Sequence, residues 1–404
     1  MVALMPVAEA LARVLAGAEP LPAGRTALAD AHGRVLTADV AALRTQPPAA
    51  VSAMDGYAVR SADVAQVPAK LRLVGEVAAG HPFEGTIGPG EAARIFTGGV
   101  LPPGSDAVVI QENTARENDT VVVKASAGKG RHVRAEGLDF RRDELLLAKG
   151  RRLSDRDLAL AAAMNHPTVS VHRRPKVAVL ATGDELVMPG STPRFGEIVY
   201  SNGYATMAMA RREGCEIADL GIVPDRLAET VAAVRRARDL GADILVTSGG
   251  ASIGDYDLVQ EALAVEGLAL SFWKVALRPG RPMMHGRLGA MHVLGLPGNP
   301  VSAYVCGVLF LVPLIRRLAG RSDVEPMIES ARLGCSLPEN DERADYLRAT
   351  LAAALDGTPV ATPARVQDSS MLAPLASADC LLVRAPHAPA ARAGDACSII
   401  RLSN

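Results

Sequence analysis

The glycine-rich segment 247–257 has the residue types of an anion-binding turn. It reads TSGGASIGDYD, follows the apolar run 243–246 and precedes a helical pattern over 258–265. A glycine-rich turn between a strand and a helix exposes backbone N–H groups at the helix start, which favours phosphates. Asp255 and Asp257 lie beside it, and carboxylates next to a phosphate often share a divalent cation with it. The segment therefore predicts nucleotide or phosphoester chemistry.

Two other segments with polar or proline-glycine residues also follow apolar runs. They are TGDE at 182–185 and LPGNP at 296–300. Each has a structural alternative, because Asp184 could simply cap a helix and Asn299 with Pro300 is a common helix entry. In an open α/β sheet, ligands bind outside the carboxyl ends of the strands. We therefore expect the three segments to form one site.

Lys274, Arg278 and Arg281 surround the proline-rich turn RPGRP at 278–282. Basic residues at such spacing usually form a solvent-exposed turn. Here two prolines and a glycine stiffen the turn, and arginine forks match oxyanions such as phosphate or molybdate. The turn is a candidate anion site.

Asp55 in SAMDGYA (52–58) and Thr97 in RIFTGG (94–99) are further candidates. Glycines in these segments also fit ordinary turns. From the residues alone, both interpretations stay open.

Composition excludes several classes of protein. With 43 basic and 44 acidic residues, the chain lacks the basic excess typical of nucleic-acid or anionic-membrane binding. Its eight histidines have no metal-ligand spacing, and HExxH and GxxxxGK[ST] are absent from the sequence. The five scattered cysteines favour reduced thiols in a cytoplasmic protein. The apolar run 304–315, interrupted by Pro313, is shorter than the roughly 20 residues of a membrane span and predicts a buried helix.

Pattern changes along the 404 residues predict four domains. Strands alternate with helices over 174–322, which predicts a doubly wound α/β domain with a mostly parallel sheet. Short strands with Gly/Pro turns predict a β-rich module over 46–139 and a small C-terminal β barrel over 323–404. Residues 1–45 and 140–173 are predicted to pack together as a discontinuous helical linker domain.

The chain resembles the molybdopterin molybdenumtransferase family, the MoeA-like proteins that include the C-terminal part of gephyrin. The resemblance spans about residues 7–402. It is carried by these motifs: SAMDGYAVR (52–60), RIFTGGVLPPGSDAVVIQE (94–112), GLDFRRDELLLAKG (137–150), LATGDELV (180–187), YSNGY (200–204), TSGGASIGDYD (247–257), LRPGRP (277–282), LPGNPVSA (296–303), DYLRA (345–349) and DSSMLAPLASAD (368–379).

The resemblance implies insertion of molybdate into adenylylated molybdopterin, with release of AMP and a need for Mg²⁺. It also implies a homodimer with shared active sites, each between the MogA-like α/β domain of one subunit and the β-rich module of the other. A MogA-like adenylyltransferase and molybdoenzyme acceptors are possible partners. The implied catalytic residues are Asp55, Thr97, Asp139, Lys274, Arg278 and Arg281. The implied substrate-binding residues are Thr182, Ser201, Asn202, Ser248, Gly249, Gly250, Ser252, Pro297, Gly298, Asn299, Pro300 and Arg348. Asp184, Glu185, Asp255 and Asp257 are the candidate metal ligands.

Two departures from the family pattern stand out. Arg278 and Arg281 replace lysines common in the family, which keeps the positive charge but changes the shape of the cationic group. The entry PPAAV at 47–51 lacks the aromatic, acid and amide residues usual there. Two alternatives to the implied activity are a molybdopterin adenylyltransferase and a non-catalytic cofactor-binding or scaffold protein.

Overall fold

The computed structural model describes residues 4–249 and 258–402, and the α/β domain in it is built on one mixed sheet. From one edge to the other, its strands are Glu216–Val223, Lys176–Thr182, Ile244–Ser248, Met291–Leu296, Met284–Leu288 and Ala269–Trp273. The first four strands are parallel and the last two are antiparallel. The prediction of a mostly parallel sheet is confirmed.

Helices cover both faces of this sheet. Alternate residues of a strand point to opposite faces, so Val177 and Val179 face one helix layer while Ala178 and Leu180 face the other. The first layer contains the helices Asn202–Arg212 and Pro300–Leu318, and the second contains Leu227–Asp239 and Leu258–Val265. The doubly wound arrangement predicted from the alternating pattern is therefore present.

The apolar run 304–315 lies in the helix Pro300–Leu318, which continues through Pro313, and the prediction of a buried helix is confirmed. A π-helical stretch, Gly307–Leu311, precedes the proline. Wider turns of this kind accommodate a residue that cannot donate a backbone hydrogen bond. By length and composition the helix could cross a membrane, but 83% of its most apolar window is buried inside the protein. It is the core helix of the α/β domain.

Two histidines lie buried within the sheet. His285 Nε2 is 3.3 Å from His292 Nδ1, and Arg287 Nη1 is 3.0 Å from His292 Nε2. Burial, with the Arg287 charge as a second cause, lowers the pKa of His285 to about 4 and that of His292 to about 3. Both rings are therefore neutral at pH 7.

These rings predict that the protein loses stability in mild acid. Between the unfolded pKa of 6.5 and the lowered folded values, the unfolded chain binds more protons, so stability falls as pH falls below 6.5. We expect a loss of about 3–4 kcal/mol between pH 7 and pH 5, measured by urea unfolding. Replacing the exposed His387 with alanine should leave this pH dependence unchanged. A flat profile over this range would contradict the prediction.

The β-rich module contains a second sheet. In spatial order its strands are Ala107–Ile110, Gly56–Val59, Glu91–Ile95, Ala69–Val77, Thr120–Val123 and Thr114–Glu117. A two-residue pair, Val51–Ser52 with Val133–Arg134, brings the start and end of the module together.

The linker domain is discontinuous, but it is mostly not helical. Leu36, Phe140, Leu147 and Val171 share one core, which joins its two sequence segments. Residues 19–45 hold no α-helix. The region consists of the paired strands Ala23–Ala27 and Thr168–His172, the pair Val40–Ala41 and Leu145–Leu147, and the helix Asp155–Ala163.

The first helix, Val7–Leu15, lies outside that core. Its residues Ala10 and Val14 pack in the core of the α/β domain. The sequence of this helix is amphipathic, but the surface that buries its apolar face is not visible in the local pattern.

The C-terminal domain is a closed barrel. Around the barrel its strands are Ala344–Ala353, Pro359–Pro363, Ile328–Leu333, Ala396–Arg401 and Cys380–Arg384, with the last pairing back to the first. The short strand Leu277–Arg278 of the α/β domain pairs with Ala344–Asp345. This pairing attaches the barrel next to the carboxyl edge of the α/β sheet.

Candidate functional site

A cavity of about 470 Å³ lies at the carboxyl edge of the parallel strands. It brings together most of the residues predicted from the strand ends. Its lining includes Thr182, Glu185, Tyr200, Ser201, Asn202, Ser248, Gly249, Gly298, Asn299, Pro300, Ser370 and Leu372. Pro297 is buried directly before Gly298 and does not line the cavity.

Asn202 holds the walls of this cavity together. Its Nδ2 donates to Ser248 Oγ at 2.9 Å and to the Gly298 carbonyl oxygen at 2.7 Å. The amide thus bridges the ends of two neighbouring strands, Ile244–Ser248 and Met291–Leu296. A side chain with two such bonds fixes the spacing of the strand ends around a ligand.

Gly249 is required by its backbone and by its surroundings. Its φ is +98°, and a Cβ atom there would lie 2.5 Å from the Thr182 carbonyl oxygen. L-residues with a side chain rarely adopt this conformation, so only glycine lets the two chain segments approach this closely.

Two helices begin in the cavity, Asn202–Arg212 and Pro300–Leu318. The N-cap residues Ser201 and Asn299 make no side-chain capping bond to their helices. The first N–H groups of a helix have no partner within it and carry partial positive charge. Two such starts in one cavity favour an anionic ligand group.

The barrel supplies one wall of the cavity through the loop 366–372. Asn299 Nδ2 donates to Ser369 Oγ at 2.9 Å, and the Val301 N–H donates to the Ser369 carbonyl at 3.0 Å. Ser370 and Leu372 line the cavity itself. The site therefore depends on two domains.

Arg348 supports this loop instead of presenting its charge to the cavity. It is 1% exposed and donates to Gln367 Oε1 and to the carbonyls of Val366 and Met371. Burial lowers its pKa. The direct anion contact implied by the family resemblance is thus not supported by this geometry, and Arg348 acts on the site through the loop.

Asp184 and Glu185 lie where the predicted metal site would be. Asp184 Oδ1 accepts from the Asp225 N–H at 3.2 Å, and Glu185 lines the cavity. The missing side chain of Gly183 leaves room for the Glu185 carboxylate, since a Cβ atom there would lie 2.6 Å from Glu185 Oε2. Residues 4–249 and 258–402 contain no cluster of three acidic, histidine or cysteine side chains that could hold a metal. Gly250, Ser252, Asp255 and Asp257 lie outside the described residues.

The cationic turn lies at the same sheet edge as the cavity but farther along it. Trp273 pairs with Met284, Met284 with Gly295, and Gly295 with Thr247. These four paired residues form one row across four neighbouring strands. Lys274 follows Trp273 at one end of the row, and Ser248 follows Thr247 at the other, so Lys274 and Ser248 are separated by three strand spacings, or roughly 14 Å. Its Nζ is 4.1 Å from the centre of the Trp273 ring.

Arg278 and Arg281 have different surroundings. Arg278 donates from Nε to Asp345 Oδ1 at 2.7 Å, from Nη2 to Asp345 Oδ2, and from Nη1 to Asp341 at 2.9 Å. These bonds to Asp345 raise its pKa. The predicted role of Arg278 as a free anion contact is therefore not supported. Arg281 is exposed, and no ion pair involves it in the part of the chain that the structure describes.

Replacing these arginines should separate stability from activity. Arg278→Ala leaves the Asp345 carboxylate, only 8% exposed, without its partner. Because Arg278 is itself partly exposed, we expect a loss of about 2–3 kcal/mol in unfolding free energy. Arg281→Ala should leave stability unchanged and weaken the binding of anions to the turn. Urea unfolding and anion-binding measurements on both variants check this, and equal stability losses would contradict it.

The β-rich module holds a second group of predicted residues. Asp55 Oδ1 accepts from the Thr97 N–H at 2.7 Å and from Thr97 Oγ1 at 2.8 Å. These two bonds, the backbone one first, lower the pKa of Asp55. Gly98 and Asp139 line a separate cavity of about 590 Å³ that shares no described residue with the first. The predicted residues therefore form two groups within one chain.

Sequence reasoning missed Tyr200, Ser369 and Ser370 as site residues. All three lie inside motifs already noted, YSNGY and DSSMLAPLASAD. The signal was therefore present, but nothing local shows that a loop of the barrel reaches the carboxyl edge of the α/β sheet.

Family models match nearly the whole chain. Residues 5–165 match "MoeA N-terminal region (domain I and II)". Residues 178–317 match "Probable molybdopterin binding domain", and residues 330–402 match "MoeA C-terminal region (domain IV)".

Relatives and solved structures agree with these matches. A molybdopterin molybdenumtransferase of Nostoc is 39% identical over 80% of this chain and 75% of its own length. One from Haemophilus influenzae is 36% identical over 80% of this chain and 79% of its own. The crystal structure of a molybdopterin biosynthesis MoeA protein from Pyrococcus horikoshii, 29% identical, superposes with a TM-score of 0.82 and covers 100% of both chains.

Proposed function

The chain belongs to the molybdopterin molybdenumtransferase (MoeA) family and is a transferase of molybdenum cofactor biosynthesis, and we propose that its two groups of site residues have different parts in the reaction. The cavity at the sheet edge binds adenylylated molybdopterin. Molybdate is then inserted and AMP is released.

The observation that carries this proposal is the meeting of two helix starts with Asn202, Ser248 and Gly249 in one cavity. Backbone N–H groups and polar side chains fixed in this way suit the phosphate groups of the substrate. The size of the cavity, about 470 Å³, is in the range typical of small-molecule sites.

Two anionic substrates repel each other, so positive groups must offset that repulsion. We assign this task to Lys274 and Arg281, which lie on the same sheet edge, and to the helix starts. Arg278 keeps the turn in place through Asp345. Arginine in place of the family's lysine suits this role, because its fork can bond both carboxylate oxygens.

Asp184 and Glu185 would hold Mg²⁺ together with Asp255 and Asp257. Carboxylate oxygens are the ligands that Mg²⁺ prefers, and the two described acids lie beside the cavity. The ion would supply positive charge next to the phosphates.

We further propose a cytoplasmic homodimer in which the Asp55 group of one subunit completes the cavity of the other. Two features support this proposal. The Asp55 group and the sheet-edge cavity are separate within the chain, and the described lining of the cavity includes predicted substrate-binding residues but none of the predicted catalytic ones.

The test is to incubate the purified protein with adenylylated molybdopterin, Mg²⁺ and molybdate, and to measure AMP by chromatography. We expect AMP release that requires molybdate. A parallel reaction with molybdopterin and ATP tests the adenylyltransferase alternative. Adenylylated pterin accumulating there, with no molybdate-dependent AMP release, would overturn the proposal. Binding without turnover in either reaction would favour a cofactor-binding protein.

A further inference from the structure

Tyr200 has a buried hydroxyl without a hydrogen-bond partner. The residue is 3% exposed, and its oxygen has no partner among the residues that the structure describes. Buried polar groups almost always find a partner, because leaving one unpaired costs about 1–3 kcal/mol. An unpaired hydroxyl beside a ligand cavity is a candidate for bonding to that ligand.

The hydroxyl lies at the start of the helix Asn202–Arg212. A Cβ atom placed on Gly203 would be 1.5 Å from the Tyr200 oxygen, so the hydroxyl occupies the space that a side chain at Gly203 would fill. Tyr200 also lines the cavity described above. The helix has 11 residues, and its N-cap Ser201 makes no side-chain capping bond.

We propose that Tyr200 is a positioning residue whose hydroxyl donates a hydrogen bond to a phosphate oxygen of the bound substrate, at the amino end of the helix Asn202–Arg212. The inference rests on the proposed function, because it assumes that this cavity receives the phosphate of an adenylylated pterin. It adds a side-chain donor to the backbone N–H groups of the helix start.

The chemistry of the hydroxyl suits this role. Burial, followed by the nearby Asp219 charge, raises the pKa of Tyr200 to about 12. The phenol is therefore neutral at physiological pH and keeps its proton for donation. Gly203 leaves room for the oxygen next to the helix start, so this glycine and the tyrosine act as a pair.

The test compares AMP with adenosine, which differ only in the phosphate. Tyr200→Phe removes the hydroxyl and keeps the ring. We expect this variant to bind AMP about tenfold or more weakly than the unchanged protein, and to bind adenosine equally well, as measured by isothermal titration calorimetry. Tyr204→Phe is the matched control, since Tyr204 is 48% exposed and its ring centre lies 5.7 Å from that of Tyr200.

Thermal unfolding of the ligand-free variant gives a second measurement. Because no bond to the hydroxyl is lost, Tyr200→Phe should keep or raise the melting temperature. A lower melting temperature with unchanged AMP affinity would overturn the proposal and give Tyr200 a structural role. If the unchanged protein itself binds AMP no better than adenosine, the phosphate site fails and the inference fails with it. Failure of the phosphate site can therefore be recognised from the unchanged protein alone, before any variant is measured.

Discussion

Replacing Asp55 with alanine should abolish molybdate-dependent AMP release while the protein stays folded. The carboxylate is exposed and is oriented by two bonds from Thr97, an arrangement that holds a charge in place for a substrate. Removing a positioned acid or base typically lowers turnover by roughly 10²–10⁴-fold. Because Asp55 contributes no apolar contact to the core, we expect little change in stability. Single-turnover assays of AMP release, with thermal unfolding of the same samples, measure both effects.

Asp119→Ala is the matched control for this variant. Asp119 is an exposed carboxylate on another edge of the same module, and it should be replaceable without loss of activity. The pH profile gives a further check. The bonds from Thr97 lower the pKa of Asp55, so its carboxylate stays charged as pH falls to the ordinary aspartate range. Undiminished turnover in Asp55→Ala would remove this residue from the mechanism.

Replacing Gly249 with alanine should damage both the cavity and the fold around it. The new Cβ atom would lie 2.5 Å from the Thr182 carbonyl oxygen, which belongs to a buried strand and cannot move aside easily. The left-handed backbone adds strain for any residue other than glycine. We expect a loss of about 2–4 kcal/mol in unfolding free energy and of at least 100-fold in AMP affinity. Urea unfolding and calorimetry measure the two effects.

Gly241→Ala separates the cost of the left-handed backbone from the cost of the contact with the Thr182 carbonyl oxygen. Gly241 also has a positive φ, +67°, but among the described residues nothing lies within 4 Å of the position that a Cβ atom would take there. This variant should lose only about 1 kcal/mol, the usual cost of the backbone conformation alone. Equal losses in both variants would show that the contact with Thr182 contributes nothing.

The residues at the strand ends could be predicted from sequence because their position follows from topology. Thr182, Ser248 and Asn299 each come after an apolar run, and the carboxyl ends of parallel strands share one edge. Asp55 and Thr97, which are linked by hydrogen bonds, were identified separately from their glycine-containing turns.

The remaining site features depend on residues far apart in the chain. Arg278 was predicted to bind an anion because its residue type and turn fit that role. Its actual partners, Asp341 and Asp345, lie more than 60 residues downstream. Similarly, the hydrogen-bond partners of Arg348 depend on how the loop 366–372 folds over it. Local patterns carry no information about such pairings.

The loop 366–372 also limits how the protein can be divided or recombined. It gives Ser369 to the start of the helix Pro300–Leu318 and Ser370 to the cavity wall. An excised α/β domain would leave that helix start open to water and its binding site one-sided. Chimeras that exchange this domain with a single-domain homologue must therefore include the loop 366–372 as well, or another segment that covers the same side of the cavity.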